Sequence, residues 1–242
     1  MNFCIETAGL RVAVESVYDG VYRHCRDYLC QENRNPDFSV KTDLELLHAE
    51  FDAMMEQEHI APGPRGIELY AVHRLICNKA LDFGVFMMHG ATVAVNGGAY
   101  LFSAPSGTGK TTHIRLWLEN LPEAYVVNGD KPFLRVTEEG VLACGSPWCG
   151  KESLGRNTQV PLKAIVFMER GGENSIRKVP FKEVFPRLLQ QVYRPQNAEG
   201  MRKTLEMLKS LPEKVTFYSF QFDNFKDDCF DTAYNALVKD RP

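Results

Sequence analysis

Residues 99–112 read AYLFSAPSGTGKTT, and this stretch decides the fold class. It starts as an apolar, β-like run, continues as a glycine-rich loop of the pattern A-x-x-x-x-G-K-T, and leads into a predicted helix over residues 110–118. A strand, a loop that ends in Gly-Lys-Thr and a following helix are the arrangement in which backbone amides and a helix N-terminus hold phosphate groups. We therefore predict that residues 104–112 form a Walker A phosphate-binding loop in an α/β or α+β protein.

The residue types within this loop fit the chemistry of a nucleoside triphosphate. Glycines allow the backbone to turn tightly and to direct successive amides toward one point. Lys110 is expected to reach the β- and γ-phosphates, and the Thr111 hydroxyl is expected to hold Mg²⁺. The expected cofactors are ATP and Mg²⁺, and the predicted nucleotide ligands are Ser106, Gly107, Thr108, Gly109, Lys110, Thr111 and Thr112.

Two acidic residues follow apolar, strand-like runs and could supply the carboxylate that a phosphoryl-transfer site needs. Asp130 follows residues 125–127 and lies only a short helix and a strand beyond Lys110, so we favour it as the metal ligand or base. We interpret Glu169, at the end of the run 164–168, as a strand-end charge that meets water. The N-K-x-D pattern that reads guanine is absent from the sequence.

Two further residues are candidates on weaker grounds. His89 precedes the predicted hairpin that leads into the loop, and a lone histidine beside apolar residues is more often structural than functional. Lys151 lies in a turn-rich segment over residues 145–152. It could neutralise phosphate charge or be a solvated lysine on a rigid turn, and both interpretations stay open.

The bulk composition argues against several other functions. The 242 residues carry a net charge of −3 and contain no long basic run, so we expect neither a nucleic acid nor a membrane as partner. Residues 1–10 do not resemble a signal peptide, and no apolar stretch approaches the roughly 20 residues that span a bilayer, so we expect a cytoplasmic protein. The seven cysteines include no C-x-x-C and are interpreted as reduced packing thiols.

The chain divides by its patterns into an accessory region, residues 1–84, and a core, residues 85–242. In the accessory region, Thr42 and Glu45 form a capping-box pattern that predicts the start of a helix. In the core, Asn96-Gly97-Gly98 between two apolar runs predicts a β-hairpin. We also predict two strands within residues 2–17, with the turn between them at Gly9. Further predicted strands are 38–41, 125–127, 133–136, 141–143, 162–168, 175–179 and 215–220, and the strand 175–179 is expected to pair with the strand 162–168. The remaining predicted helices are 19–29, 67–82, 181–192, 196–208 and 225–238.

The run from His89 and Gly90 through SGTGKTT, residues 106–112, to Asp130 resembles two related families. One is the HPr serine kinase/phosphorylase family and the other is ATP-dependent phosphoenolpyruvate carboxykinase. The resemblance implies a carboxykinase-like P-loop kinase fold, with a mixed sheet flanked by helices. It also implies that His89 lies near the metal or the transferred phosphate and that Asp130 is the metal ligand or base.

Two shorter segments resemble small bacterial HPr-kinase-like proteins, which have Asn-(Asp/Gly)-Asp-Lys-Pro followed by Pro-Trp-x-Gly-Lys. Here these are residues 128–132 and 147–151, and the likeness extends over residues 85–180. Both larger families usually have paired aspartates, whereas position 129 in this chain is glycine.

The expected function is an ATP-dependent kinase of a hydroxyl group, with Asp130, His89, Lys110 and Lys151 as the catalytic residues. The acceptor, a protein or a small molecule, is not specified by the sequence, and neither is the base of the nucleotide. The resemblance also allows a homo-oligomer. Two alternatives stay open: a nucleotide-binding regulatory protein with little turnover, which Gly129 favours, and a carboxykinase-like decarboxylating enzyme.

Overall fold

A small sheet is formed by the N-terminal region of this computed structural model, which describes residues 1–31, 34–58, 63–223 and 228–239. Strands β1 (Asn2–Thr7) and β2 (Leu10–Glu15) are antiparallel, and β3 (Phe38–Lys41) pairs parallel to β2. The predicted strands are thus confirmed. The helix expected over residues 19–29 is instead a short helix, α1 (Gly20–His24), followed by a 3-10 turn.

Helices α2 (Leu44–Glu58) and α3 (Pro64–Ala80) follow the small sheet. The capping-box prediction for α2 is wrong, because the Asp43 carboxylate, and not Thr42, accepts the backbone N–H of Leu46 at 2.9 Å. The Thr42 hydroxyl donates at 2.6 Å to Glu68 of α3. Glu68 is fully buried and also accepts two backbone N–H groups. Because a buried carboxylate must be satisfied by hydrogen bonds, the Thr42 hydroxyl serves Glu68 and not the helix N-terminus.

In the part of the chain that the structure describes, nine strands form the main sheet. Its larger part has the order β7-β5-β6-β10-β12-β11, while β4, β8 and β9 continue the sheet from the first residues of β10. The strands are β4 (Val85–Met87), β5 (Ala91–Val95), β6 (Gly98–Ser103), β7 (Tyr125–Asn128), β8 (Phe133–Val136), β9 (Val141–Cys144), β10 (Gln159–Arg170), β11 (Ser175–Lys178) and β12 (Thr216–Phe222).

The long strand β10 organises this sheet. It runs parallel to both β6 and β12, so Phe167 lies opposite Ser103 where the phosphate loop begins. Because these two neighbours occupy both edges of β10, β11 pairs antiparallel with β12 and not, as predicted, with β10. The β5–β6 hairpin is confirmed, with Asn96 and Gly97 at φ 50° and 72°, the left-handed values that a two-residue turn of this kind requires.

Helices cover the sheet. They are α4 (Lys110–Asn120), α5 (Phe181–Gln191), α6 (Ala198–Ser210) and α7 (Cys229–Tyr234), which continues as a π-helix to Lys239. The first residues of the predicted final helix, 225–227, lie outside the described residues. The result is a mixed α/β structure with a curled mixed sheet flanked by helices. Among the described residues, none of these helices combines the length and apolarity needed to cross a bilayer.

The N-terminal region shares a buried cluster with the main sheet. Val12 and Val14 of β2 and Val72 of α3 belong to the same apolar cluster as Phe133 of β8 and Trp148. Two further apolar clusters are present: one includes residues of α5 and α6, and the other includes residues of α4 and α7. The small sheet and α3 therefore pack against the part of the main sheet that β4, β8 and β9 form.

Candidate functional site

The predicted phosphate loop connects β6 to α4. Gly107 and Gly109 have φ angles of 79° and 117°, a region that other residues rarely adopt, so the loop needs glycine at both positions. The Thr108 hydroxyl donates to the Pro105 carbonyl at 2.9 Å and closes the turn. Helix α4 begins directly at Lys110, so its N-terminus faces the space that the loop surrounds.

Lys110 lies across the loop. Its ammonium group donates to the carbonyl oxygens of Ala104 at 2.9 Å and Pro105 at 3.2 Å, both of which are neutral. Burial lowers the pKa of Lys110, while the charge of Asp130 opposes that effect. A partly desolvated cation held by neutral groups at a helix N-terminus is suited to an anionic ligand.

A cavity of about 870 Å³, here called the large cavity, lies beside the loop. It brings together residues that are far apart in sequence and that the sequence analysis selected. From the loop and α4 come Ser106, Gly107, Gly109, Lys110, Thr111 and Thr112, and from elsewhere come His89, Asp130 and Lys151. Thr108 is half-buried in the loop and is not part of this lining.

Asp130 is held by two cationic or proton-donating neighbours. Its Oδ1 lies 3.3 Å from His89 Nε2, and its Oδ2 accepts from the ammonium group of Lys131. Burial alone would raise the pKa of Asp130, but the hydrogen bonds from His89 and Lys131, together with their charges, outweigh it and hold that pKa well below its ordinary value. Asp130 is therefore an ionised carboxylate at neutral pH, as a metal ligand must be.

His89 links the cavity to α5. Its Nδ1 lies 2.8 Å from Oε1 of Gln191, and its backbone N–H donates to the Gln191 carbonyl at 2.7 Å. The Ser103 hydroxyl donates to the His89 carbonyl at 2.8 Å, which ties the histidine to the end of β6. The ring thus stands between a carboxylate and an amide oxygen, and its position depends on three separate elements.

Asn128 is a site residue to which the sequence analysis assigned no role. It is fully buried, and its Oδ1 accepts the backbone N–H groups of Asp130 at 2.9 Å and Lys131 at 2.7 Å. Its Nδ2 donates to the carbonyl and the hydroxyl of Ser146. The available signal was an Asn followed by Gly-Asp at the end of an apolar strand, since asparagine side chains cap such turns.

Gly129 has no room for a side chain. A Cβ atom at this position would lie 2.9 Å from the Cys149 carbonyl oxygen and 3.1 Å from that of Leu154. The Gly129 N–H also donates to the Leu154 carbonyl at 2.8 Å. Segment 149–154 therefore occupies the space in which a second aspartate would stand.

Lys151 is exposed at the rim of the large cavity, on a turn that follows Gly150. The next residue, Glu152, forms an ion pair with Arg115 of α4. This pair connects the turn to the helix that follows the phosphate loop. Lys151 and the loop therefore border the same cavity.

The N-terminal region forms part of the wall of the large cavity. Leu69, Tyr70 and His73 of α3 line this wall together with Trp148 and His24. The Trp148 indole N–H donates to the Leu69 carbonyl at 3.2 Å, and the His73 ring lies 4.5 Å from the indole. Burial lowers the pKa of His73 to about 3, so this side of the cavity is uncharged and aromatic at neutral pH.

A second cavity of about 550 Å³, here called the small cavity, lies on the other side of the phosphate loop. Its remaining walls are the ends of β10 and α5. Glu169, expected to be a strand-end charge in water, borders this cavity, with its carboxylate 3.7 Å from Arg187 and 3.3 Å from the Gln221 amide. Gln191, the partner of His89, lines the small cavity as well.

The donor set can be tested against the expected Mg²⁺ ion. The magnesium ion typically takes one or two protein oxygen ligands together with phosphate oxygens and water. Thr111 and the ionised Asp130 line the same cavity and supply oxygen donors of this kind. Within the described residues, no group of three or more His, Cys, Asp or Glu side chains forms a protein-only metal site. The residues present therefore fit a metal that is bound jointly with phosphates.

No protein-family model matches this chain, and no curated protein does either.

Proposed function

We propose that this protein is an ATP-dependent phosphotransferase that transfers the γ-phosphoryl group to a hydroxyl acceptor, in the manner of an HPr-kinase-like enzyme on a P-loop kinase fold. One observation carries the proposal. The glycine-rich loop with Lys110 and the ionised Asp130–His89 pair face one cavity, although they lie on different elements. A loop that binds phosphates without a metal ion would need neither the carboxylate nor the histidine.

The nucleotide phosphates occupy the loop side of the large cavity. The amides at the start of α4 and the Lys110 ammonium group bind the phosphate oxygens. Thr111 and Asp130 hold Mg²⁺, which when bound neutralises charge on the phosphates. His89 fixes one oxygen of Asp130 and Lys131 the other, so the carboxylate keeps its orientation when the ligands change.

Charge stabilisation during transfer comes from groups that border the same cavity. The phosphoryl group carries negative charge on its peripheral oxygens as it moves, and positive groups near it lower the barrier. Lys110 and Lys151 provide these charges in the proposal, the first from the loop and the second from the rim.

Replacing Lys110 with alanine tests the proposal. We expect Lys110→Ala to weaken Mg²⁺-dependent ATP binding by roughly 10- to 100-fold, because one charge-assisted contact of about 1.5–3 kcal/mol is lost. Lys209→Ala, on the exposed side of α6, is the matched control and leaves the affinity unchanged. A titration of both variants with ATP measures the effect. Equal ATP affinity in both variants would falsify the proposal.

A second candidate is a nucleotide-binding regulator with little turnover. It is favoured by Gly129, because the backbone around this position leaves no space for a second carboxylate next to Asp130. The two candidates differ in one measurement. The regulator binds ATP but transfers no phosphate to any hydroxyl acceptor, whereas the kinase does transfer it.

A further inference from the structure

The phosphate loop separates two cavities and takes part in both. Ser106 and Gly107 line the large and the small cavity, whereas Thr111 and Thr112 line only the large one. A nucleotide whose phosphates are bound at the N-terminus of α4 lies on the side of the large cavity. Ser106 and Gly107 are the residues at which the small cavity adjoins the large one.

The small cavity is built to receive an anionic group. Arg170 and Arg187 line it together with the neutral amides of Gln190 and Gln191. Arg187 is held in place, since its guanidinium lies 5.3 Å from the centre of the Phe167 ring and 3.5 Å from the Ser219 hydroxyl. A fixed guanidinium binds a carboxylate or a phosphate through two parallel hydrogen bonds.

The small cavity also contains a carboxylate. Glu169 lies at the end of β10, and its contact with Arg187 is a long one of 3.7 Å. Of the described residues that line this cavity, Glu169 is the one with an acidic side chain. It offers the second carboxylate that Gly129 prevents in the turn next to Asp130.

Gln191 connects the two cavities. It lines the small cavity, and both its side chain and its backbone carbonyl contact His89. The other nitrogen of His89 faces Asp130 in the large cavity. A molecule in the small cavity therefore lies one side chain away from the groups proposed to hold the nucleotide and the metal.

We propose that the small cavity is the acceptor site, and that it selects a hydroxyl compound carrying a carboxylate or phosphate group, which Arg187 binds. This inference rests on the kinase function proposed above. In the reaction, the acceptor oxygen forms a bond to the γ-phosphorus, and the bond from that phosphorus to the β–γ bridging oxygen breaks. The bond's electron pair leaves with ADP, and the hydroxyl proton passes to Glu169. Asp130 is then left to hold the metal.

Three small hydroxyl probes test the acceptor site: glycerol, glycerate and glycerol 3-phosphate, each offered with γ-labelled ATP and Mg²⁺. We expect the two anionic probes to be phosphorylated with a kcat/KM at least tenfold above that of glycerol. Arg187→Ala lowers kcat/KM for the anionic probes by roughly 10- to 100-fold more than it lowers kcat/KM for glycerol. Arg187→Lys, which keeps the charge, retains part of the activity.

Glu169→Gln separates proton transfer from binding. We expect it to lower kcat by roughly 100-fold or more while the KM of the anionic probe changes little, because a general base acts in the transfer step. Glu213→Gln, at an exposed glutamate of the 3-10 turn before β12, is the matched control.

The outcomes distinguish this inference from the proposed function. If Arg187→Ala weakens ATP binding as strongly as Lys110→Ala, the small cavity holds the nucleoside and the inference is wrong. If the protein binds ATP but neither binds nor phosphorylates any of the three probes, or treats glycerol and glycerate alike, the acceptor assignment is also wrong. In both cases ATP binding that depends on Lys110 would still support the nucleotide site.

Discussion

Asp130 takes its properties from one side chain that is adjacent in the sequence and from another that only the folded chain brings next to it. Its own neighbour Lys131 pairs with one oxygen, and His89, which lies 41 positions earlier in the sequence, approaches the other. Burial raises the pKa of Asp130 and these two partners lower it; the partners have the larger effect, so the carboxylate is ionised. At the residue scale, the site is therefore an anion held by two cationic or proton-donating groups beside the loop that we propose to bind phosphates.

Gly129 gives a prediction at this scale. We expect Gly129→Ala to lower the free energy of unfolding by about 1–3 kcal/mol, because the new methyl group meets two backbone carbonyl oxygens that cannot move independently. Chemical denaturation measures the loss. Gly172→Ala is the control, since a Cβ at position 172 has nothing within 4 Å. Similar stabilities for the two variants would show that segment 149–154 moves at little energetic cost and that position 129 could accommodate an aspartate.

At the scale of elements, α4 carries both the phosphate loop's lysine and a buried histidine. His113 is fully buried, and its Nε2 accepts the indole N–H of Trp117 at 3.1 Å, so the ring is neutral in the folded protein. Burial lowers the pKa of His113 to about 3 from 6.5. Between these values the unfolded chain binds a proton that the folded chain does not, so stability falls as pH falls below 6.5.

We therefore expect the free energy of unfolding to decrease from pH 6.5 to pH 5, by up to about 1.4 kcal/mol per pH unit for each such histidine. His113→Gln reduces the dependence of the free energy of unfolding on pH. It also destabilises the protein at pH 7, because glutamine packs less well than the imidazole ring among the buried side chains around it. His48→Gln is the control, because His48 is exposed on α2. Denaturation curves at several pH values give the slopes, and an unchanged slope for His113→Gln would contradict the assignment.

At the scale of the whole molecule, the N-terminal region is joined to the main sheet through a shared apolar cluster. The region therefore contributes to the large cavity in two ways, as its aromatic wall and as part of the packing behind that wall. We infer that its order and that of the phosphate loop are lost together when the protein unfolds.

Val12→Ala tests this coupling. Val12 of β2 is fully buried in the shared cluster, so we expect the substitution to lower the free energy of unfolding by about 1–3 kcal/mol. The two tryptophans report on different clusters, Trp148 on the shared one and Trp117 on that of α4. Variants that keep one tryptophan each, Trp117→Phe and Trp148→Phe, should show the same shift by fluorescence. Separate transitions would mean that the N-terminal region unfolds independently.

The sequence by itself determined the elements and the phosphate loop. Hairpin turns, strands and the start of α4 depend on local backbone preferences. Asn96 and Gly97 in the hairpin, and Gly107 and Gly109 in the loop, are residue types that adopt the required positive φ angles. Where prediction failed, a distant partner overrode the local pattern. Thr42 binds the buried Glu68 and leaves the helix cap to Asp43, and β11 pairs with β12 because β10 has no free edge.

The tertiary structure alone decided how the polar residues meet. The sequence pattern indicates His89, Lys110 and Asp130, but it does not reveal the contact of His89 with Gln191, a residue 102 positions away. Nor could it reveal the role of Asn128, the steric need for Gly129, or a cavity bordered by Glu169 and Arg187. The physical reason is that hydrogen bonds and carbonyl contacts between distant segments depend on packing, which no local pattern of residue types encodes.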